Sequence, residues 1–237
     1  MTTAFVAGAT GYTGREVVRA LVAGGHRAVA HVRPDRRDLD EVRARFEGEG
    51  AEVDATAWDE AALAGTLEAL QPDVVFALLG TTRHRMDQLR EGKADYAVAS
   101  YEEVDYGLTA LLMRACLAAE ITPRFVYLSA AGVQAGASTP YYAVRARMEQ
   151  ELRQSGLPYT IARPGIITGP DREEDRPLER MGGLVVDGAL TVAGAFGFRG
   201  LQQRYRSTDA AALAAALVRL ALDPEAADAV VASDGLR

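Results

Sequence analysis

The chain has little of what builds disulfides, metal sites or membrane spans. Among 237 residues it has one cysteine and three histidines. With Cys116 alone no intrachain disulfide forms, and its apolar helical setting favours a buried structural thiol over a nucleophile. His26, His31 and His84 lack the spacing of a metal-ligand pair, so we predict no metal site. No apolar run is long enough for a bilayer span.

The charge balance is not that of a nucleic-acid-binding protein. Lysine and arginine number 26 against 33 aspartates and glutamates, a net charge of −7. This excludes general affinity for nucleic acid or an anionic membrane. No basic leader precedes the first apolar strand, so the expected location is cytoplasmic. At 49% hydrophobic residues, the chain suits one α/β domain with a substantial core.

Three closely spaced glycines follow the first apolar run of the chain. Residues 4–14 read Ala-Phe-Val-Ala-Gly-Ala-Thr-Gly-Tyr-Thr-Gly, a short strand that runs into a glycine turn and then a helix. Such glycines permit a tight turn, close backbone approach to phosphate and close helix packing, and the helix N-terminus faces the anion. The alternative is a turn kept only for packing. We predict dinucleotide binding by Gly8, Thr10, Gly11, Tyr12, Thr13 and Gly14.

Strand and helix patterns alternate, which predicts the α/β class with a Rossmann-like, doubly wound parallel sheet. We expect a single NAD(P)-binding domain over 1–237, with a small substrate-side region at about 165–205 inside it. Strands are predicted at 4–8, 28–32, 51–55, 73–79, 124–129 and 158–162. Helices are predicted at 13–24, 59–70, 95–119, 140–155 and 209–222, and 35–47 has helical character that its glycines and charges oppose.

The residues after the second strand bear on the choice of cofactor. NAD binders usually place an acid here for the ribose hydroxyls, whereas arginine attracts a 2′-phosphate. Arg33, with Arg36 or Arg37, therefore favours NADP over NAD. The competing interpretation is a solvated loop, and NAD stays open if Asp35 points at the ribose.

Two further segments carry candidate chemistry. Ser129 ends the apolar run Phe-Val-Tyr-Leu-Ser, and Tyr141 opens a helix with Arg145 four residues later on the same face. Tyr142 has Ala146, rather than a cationic residue, at the same offset. The pattern therefore favours Tyr141 as the functional tyrosine.

Taken together, these motifs resemble the short-chain dehydrogenase/reductase superfamily, and more closely its atypical NmrA-like branch and the Tat-interacting oxidoreductase group. The matching stretches occur in family order over roughly residues 4–170. They are Gly8 to Gly14, Leu79-Gly-Thr-Thr-Arg, Val104-Asp-Tyr, Leu128-Ser-Ala-Ala-Gly, Tyr141 to Glu149 and Ala162-Arg-Pro-Gly-Ile.

The resemblance implies roles for three side chains. In the superfamily a tyrosine protonates a carbonyl oxygen while the nicotinamide delivers hydride, and a serine hydrogen-bonds the same oxygen. A lysine four residues after the tyrosine binds the nicotinamide ribose and favours the ionised phenol. Ser129 and Tyr141 match two of these positions, and Arg145 replaces the lysine with a wider, planar cation. Two outcomes stay open: retained catalysis, or a cofactor clamp without catalysis.

The resemblance also places cofactor contacts after two other strands. Leu79, Gly80 and Thr81 match residues that approach the adenine and its ribose, while Pro164, Gly165 and Ile166 match a turn beside the nicotinamide. A plain strand-to-loop turn fits the latter residues equally well. Residues 80–94 are longer than the family pattern, which suggests a lid or a contact with a partner.

Two functions follow. The first is an NADP-dependent reductase of a carbonyl or quinone-like small molecule; the second is a non-catalytic NADP(H)-binding protein that couples cofactor state to a protein partner. A homodimer through the helices at 95–119 and 140–155 is compatible with either. A sugar-nucleotide epimerase is disfavoured by the short stretch that follows Pro164.

Overall fold

The computed structural model describes residues 1–80, 101–165, 167–168 and 208–236. The strands are β1 Thr3–Ala7, β2 Arg27–His31, β3 Glu52–Asp54, β4 Val74–Ala77, β5 Arg124–Leu128, β6 Tyr159–Arg163, β7 Ile167–Thr168, β8 Thr208–Asp209 and β9 Ala229–Ala232. The α-helices are α1 Tyr12–Ala23, α2 Leu39–Gly48, α3 Glu60–Leu70, α4 Thr109–Ala118, α5 Pro140–Gln154 and α6 Ala210–Leu222. A π-helix over Tyr101–Leu108 leads directly into α4.

Seven strands form one parallel sheet in the order β3-β2-β1-β4-β5-β6-β9. The central β1 pairs with β2 on one side, where Phe5 faces Val29, and with β4 on the other, where Phe5 faces Val75. All four residues of β4 are buried, as expected of a strand covered on both faces. The chain order reverses at β1, so a ligand crevice is expected outside the carboxyl ends of β1 and β4. The predicted Rossmann-like α/β fold is confirmed.

Helices cover both faces of this sheet. On one face α1 packs against α6, where Val17, Val18 and Leu21 share a buried cluster with Leu213 and Leu217. On the other face α3, α4 and α5 supply the cluster that contains Leu63, Leu67, Leu112, Met148 and Leu152. This second layer includes α5, which carries Tyr141 in its first turn.

Three elements differ from the predictions. The strand β9 was not predicted, because Ala-Val-Val-Ala is too short a run to stand out. Residues 39–48 form a helix despite their charges. The helix predicted from 95 begins, within the described part, as a π-helix; its residues 95–100 lie outside that part. A Cβ on Gly107 would lie 3.0 Å from the carbonyl oxygen of Glu102, five residues earlier, so glycine permits this wider turn.

None of the helices in the described ranges combines the length and the apolar character needed to cross a membrane.

Candidate functional site

The glycine turn after β1 is sterically closed to other residues at two positions. Gly8 has φ +84°, and a Cβ there would lie 2.5 Å from the carbonyl oxygen of Leu78. A Cβ on Gly14 would lie 2.1 Å from the carbonyl oxygen of Gly8. The Gly11 amide donates to the same Gly8 oxygen at 2.9 Å, which closes the turn. Gly8 and Gly14 therefore allow the first turn of α1 to lie against β1 and the end of β4.

The N-terminus of α1 suits an anionic ligand. Among the described residues no side chain caps Gly11, and the first turn of α1 contains no acid. The positive end of the helix dipole thus meets the crevice at the carboxyl ends of β1 and β4. A tight glycine turn next to an uncapped helix N-terminus fits the pyrophosphate of a dinucleotide.

The arginines after β2 are not equivalent. Arg36 donates from both Nε and Nη2 to Asp38, at 2.8 and 2.5 Å. The side chain of Arg33 is half exposed, and Asp35, its ion-pair partner, is 3.9 Å away. A loose, solvated pair such as this contributes little stability, so Arg33 is the more available cation.

Arg145 lies at the point where three elements meet α5. Its Nη2 donates to Asp105 of the π-helix at 2.7 Å, and its Nη1 donates to the carbonyl oxygen of Leu128 at the end of β5, also at 2.7 Å. A Cβ on Gly80, just after β4, would lie 3.5 Å from Nη2 and 3.6 Å from the Asp105 carboxylate. Sequence reasoning listed the Val104-Asp-Tyr stretch but did not predict this ion pair.

Tyr141 is fixed by its neighbours. The Arg145 guanidinium lies 4.7 Å from the centre of the Tyr141 ring, and Tyr101 and Tyr142 contact the ring edge-on at 5.5 and 5.1 Å. All three tyrosines are half-buried. The predicted pair of Tyr141 and Arg145 is therefore in contact, as the spacing of four residues requires.

The environment of Arg145 keeps it charged. Burial alone would lower the pKa of Arg145, but its interactions with Tyr127, Tyr141 and Asp105 outweigh burial and raise it. Among the described residues, Arg145 Nε and Tyr127 Oη are buried atoms without a hydrogen-bond partner. With both terminal nitrogens engaged, Arg145 is a fixed cation beside Tyr141.

Ser129 is engaged elsewhere. Its hydroxyl donates to Glu149 Oε1 at 2.6 Å, inside α5. Glu149 also accepts from Arg163 Nε at 2.9 Å and from Arg153 Nη2 at 3.1 Å. A hydroxyl has one proton to donate, so Ser129 cannot also donate to a substrate oxygen in this arrangement. The sequence did not predict that Glu149 binds Ser129. The spacing of four residues between Glu149 and Arg153 does indicate the ion pair of those two side chains on one helical face.

Four other predicted cofactor residues lie at the same edge of the sheet. Leu79 and Gly80 follow β4, and Pro164 and Gly165 follow β6. The Pro164 carbonyl accepts from the Ala131 amide at 2.8 Å, while the Gly165 amide donates to the Ser233 hydroxyl at 3.3 Å. Thr81, Ile166, the 80–94 extension beyond Gly80 and most of the 165–205 region lie outside the described residues.

In the described ranges, neither a group of metal ligands nor the cysteine provides a further reactive site. No cluster of three or more His, Cys, Asp or Glu side chains is placed to hold a metal ion there. Burial raises the pKa of the Cys116 thiol to about 12, so it is not a nucleophile at neutral pH.

Comparison with known proteins agrees with this geometry. A family model described as NAD(P)H-binding matches residues 8–193. The chain belongs to this NAD(P)H-binding family. Its sequence is 31% identical to protein fmp52-1, mitochondrial, of Aspergillus terreus over 178 residues, 73% of this chain and 69% of that protein. It is 29% identical to FMP52-1, mitochondrial, of Scheffersomyces stipitis, over 74% of this chain and 71% of that protein.

Solved structures share the fold of this NAD(P)H-binding chain. UDP-N-acetylglucosamine 4-epimerase from Bacillus cereus matches with a TM-score of 0.63 at 16% identity, over 97% of this chain and 76% of that one. AtPrR2 with NADP+ and (+)pinoresinol matches with a TM-score of 0.66 at 16% identity, over 97% and 69%. Both matches show that the chain shares its overall α/β fold with these proteins.

The expectation of a cytoplasmic location is wrong by this comparison, because the curated relatives are named as mitochondrial proteins. That expectation rested on the absence of a recognisable leader before the first strand. The folding of β1 does not depend on the compartment, so its position carried no information about location.

Proposed function

We propose that this chain is an NADP-dependent oxidoreductase that reduces a carbonyl or quinone-like small molecule, with Tyr141 as proton donor. The observation that carries the proposal is the contact between half-buried Tyr141 and the permanent cation Arg145, at the sheet edge where the glycine turn opens. The motif order further supports kinship with the Tat-interacting oxidoreductase group.

The chain's own residues would divide the work as follows. Gly8, Gly11, Gly14 and the N-terminus of α1 hold the pyrophosphate, and Arg33 contacts the 2′-phosphate. A bound NADPH supplies the hydride. Tyr141 holds a proton on its phenol oxygen and donates it to the substrate oxygen, while Arg145 stabilises the phenolate that remains. Ser129 acts as a positioning residue, because its bond to Glu149 joins the end of β5 to the middle of α5.

The matched pair Tyr141→Phe and Tyr142→Phe tests this mechanism. Both variants keep the ring and lose one hydroxyl, and the two residues are neighbours on the same helix. We expect Tyr141→Phe to lower kcat for NADPH oxidation with an active acceptor by about 10²–10⁴-fold, the range for general acid catalysis. Tyr142→Phe should retain activity, and both should bind NADPH with unchanged Kd. Full activity in Tyr141→Phe would refute the assigned role.

A second function is favoured by one observation. Asp105 pairs with Arg145 in the protein interior, so the cation beside Tyr141 is already neutralised. A non-catalytic NADP(H)-binding protein that couples cofactor state to a partner tolerates this arrangement. It predicts tight NADPH binding without turnover, and a partner affinity that differs between the apo and bound forms, because a ligand without differential affinity shifts no equilibrium.

A further inference from the structure

A second cavity lies away from the glycine turn, between α5 and the loop that follows β5. Its volume is about 470 Å³, within the range of small-molecule sites. Neither Tyr141 nor Arg145 is among its lining residues. Small residues form much of its wall and leave the space open: Gly136, Ala137, Ala143 and Ala146.

The wall of this cavity carries more positive than negative charge. Among the residues that the structure describes, Glu149, 2% exposed, is the one carboxylate that lines it, and both Arg153 and Arg163 bind that carboxylate. A third lining residue, Arg147, has its own partner in Glu102. Two guanidinium groups on one buried carboxylate leave an excess positive charge at the cavity wall.

Hydrogen-bond donors remain available on both arginines. A guanidinium has five N–H groups. Arg163 directs Nε and Nη2 at Glu149, and Arg153 directs Nη2. Their side chains are 23% and 42% exposed, so the remaining N–H groups are open to a ligand.

We propose that this cavity binds a small organic anion, a carboxylate or a phosphate ester with a compact apolar body. Arg153 and Arg163 hold the anionic group through charge-assisted hydrogen bonds, and Ala143 and Ala146 contact the body. Glu149 orients both arginines and is itself neutralised by them. The proposal does not depend on the redox activity of Tyr141.

Calorimetric titration with benzoate and with phenyl phosphate at constant ionic strength tests the site, with neutral benzamide as the control ligand. We expect at least one anion to bind and benzamide not to bind. Arg153→Gln should weaken that Kd at least tenfold, because it removes the excess charge while Ser129 and Arg163 still satisfy Glu149. Ala146→Leu should weaken it equally by filling the cavity with every charge kept. Arg19→Gln, on α1, should have no effect.

Three results would overturn the proposal: no binding of either anion at millimolar concentration, equal binding of benzamide, or unchanged affinity in both cavity variants. Titrations with and without saturating NADPH separate this site from the glycine turn. Displacement of phenyl phosphate by NADPH would place the anion in the dinucleotide site and equally overturn the proposal. Failure of NADPH itself to bind would bear on the proposed function and leave the cavity result intact.

Discussion

The Arg145 guanidinium and the Asp105 carboxylate form an ion pair of 2.7 Å in which the two side chains are only 7% and 1% exposed. Tyr141 therefore faces the Arg145 cation, whose electric field the Asp105 carboxylate largely cancels. In a low-dielectric interior such cancellation matters more than it would at the surface. The ion pair also ties the π-helix to α5, so it is both an electrostatic and a structural feature.

Replacing Asp105 with asparagine separates these two roles. Asp105→Asn keeps an oxygen acceptor and removes the charge, so Arg145 would act on Tyr141 as an unpaired cation. We expect the basic limb of the pH–rate profile to move to lower pH, and the free energy of unfolding to fall by up to about 3–5 kcal/mol. Glu102→Gln, which removes the exposed partner of Arg147, should cost less than about 1 kcal/mol. Equal losses in the two variants would contradict the assignment.

The glycine turn can be tested with a matched pair of glycine substitutions. Gly14→Ala places a methyl group 2.1 Å from the Gly8 carbonyl oxygen, so β1 and α1 must separate. We expect a loss of at least about 2 kcal/mol in chemical denaturation, as for overpacking of a core, together with weaker NADPH binding. Gly65→Ala, in α3 with no atom within 4 Å of the new Cβ, should instead stabilise the protein by about 0.5–1 kcal/mol. Tolerance of alanine at Gly14 would show that the turn is looser than described.

Arg33 and Arg36 provide a test of cofactor choice. Arg36 is held by Asp38, whereas Arg33 is half exposed and loosely paired. We expect Arg33→Ala to weaken NADPH binding by about 1–3 kcal/mol, the cost of losing a charged hydrogen bond, and to leave NADH unchanged. Arg36→Ala should have the smaller effect. Nucleotide binding is measured by fluorescence titration with NADPH and with NADH. A larger effect of Arg36→Ala, or equal losses for NADH, would overturn this order.

His31, at the end of β2, introduces a pH dependence of stability. Its Nε2 lies 2.9 Å from the Thr56 carbonyl oxygen, and burial lowers the pKa of His31 below its ordinary 6.5 despite that bond and nearby Asp54. Below pH 6.5 the unfolded chain therefore binds a proton that the folded protein does not, so the free energy of unfolding falls as pH decreases toward the folded-state pKa. At higher pH, His31 does not make the free energy of unfolding depend on pH.

The comparison of wild type with His31→Gln isolates this effect. We expect the free energy of unfolding, measured by urea denaturation between pH 8 and pH 5, to fall more steeply in wild type than in the variant. The ordinary carboxylate contributions cancel in the difference. Parallel curves would show that His31 titrates alike in the folded and unfolded chain.

Local sequence was sufficient for six of the seven strands of the described parallel sheet and for the turn at Gly8. The strands β1, β4 and β5 are mostly apolar on both faces, and the turn in which Gly8 has φ +84° is recognisable from the spacing of its glycines. The pair of Tyr141 and Arg145 follows from helical geometry alone. These features depend on residues that are close in the chain, where periodicity determines what is in contact.

Long-range partners could not be predicted in this way. Asp105 reaches Arg145 across 40 residues, and Ser129 is bound by Glu149, which Arg163 reaches from another strand. The number of residues between such positions does not predict a contact, because the order of the strands in the folded sheet determines which helix lies beside which strand. The sequence did not distinguish Arg33 from Arg36. The structure distinguishes them through the short hydrogen bond from Arg36 to Asp38.

The packing of α1 on α6 gives this chain a late step in its folding. The helix α1 follows the glycine turn near residue 8, yet its buried partner is α6, Ala210–Leu222, so most of the described chain lies between them. Contacts of such high sequence separation form slowly and only after most of the chain is available. We therefore expect the contact between α1 and α6 to form late in folding, and dinucleotide binding to appear only once it has formed.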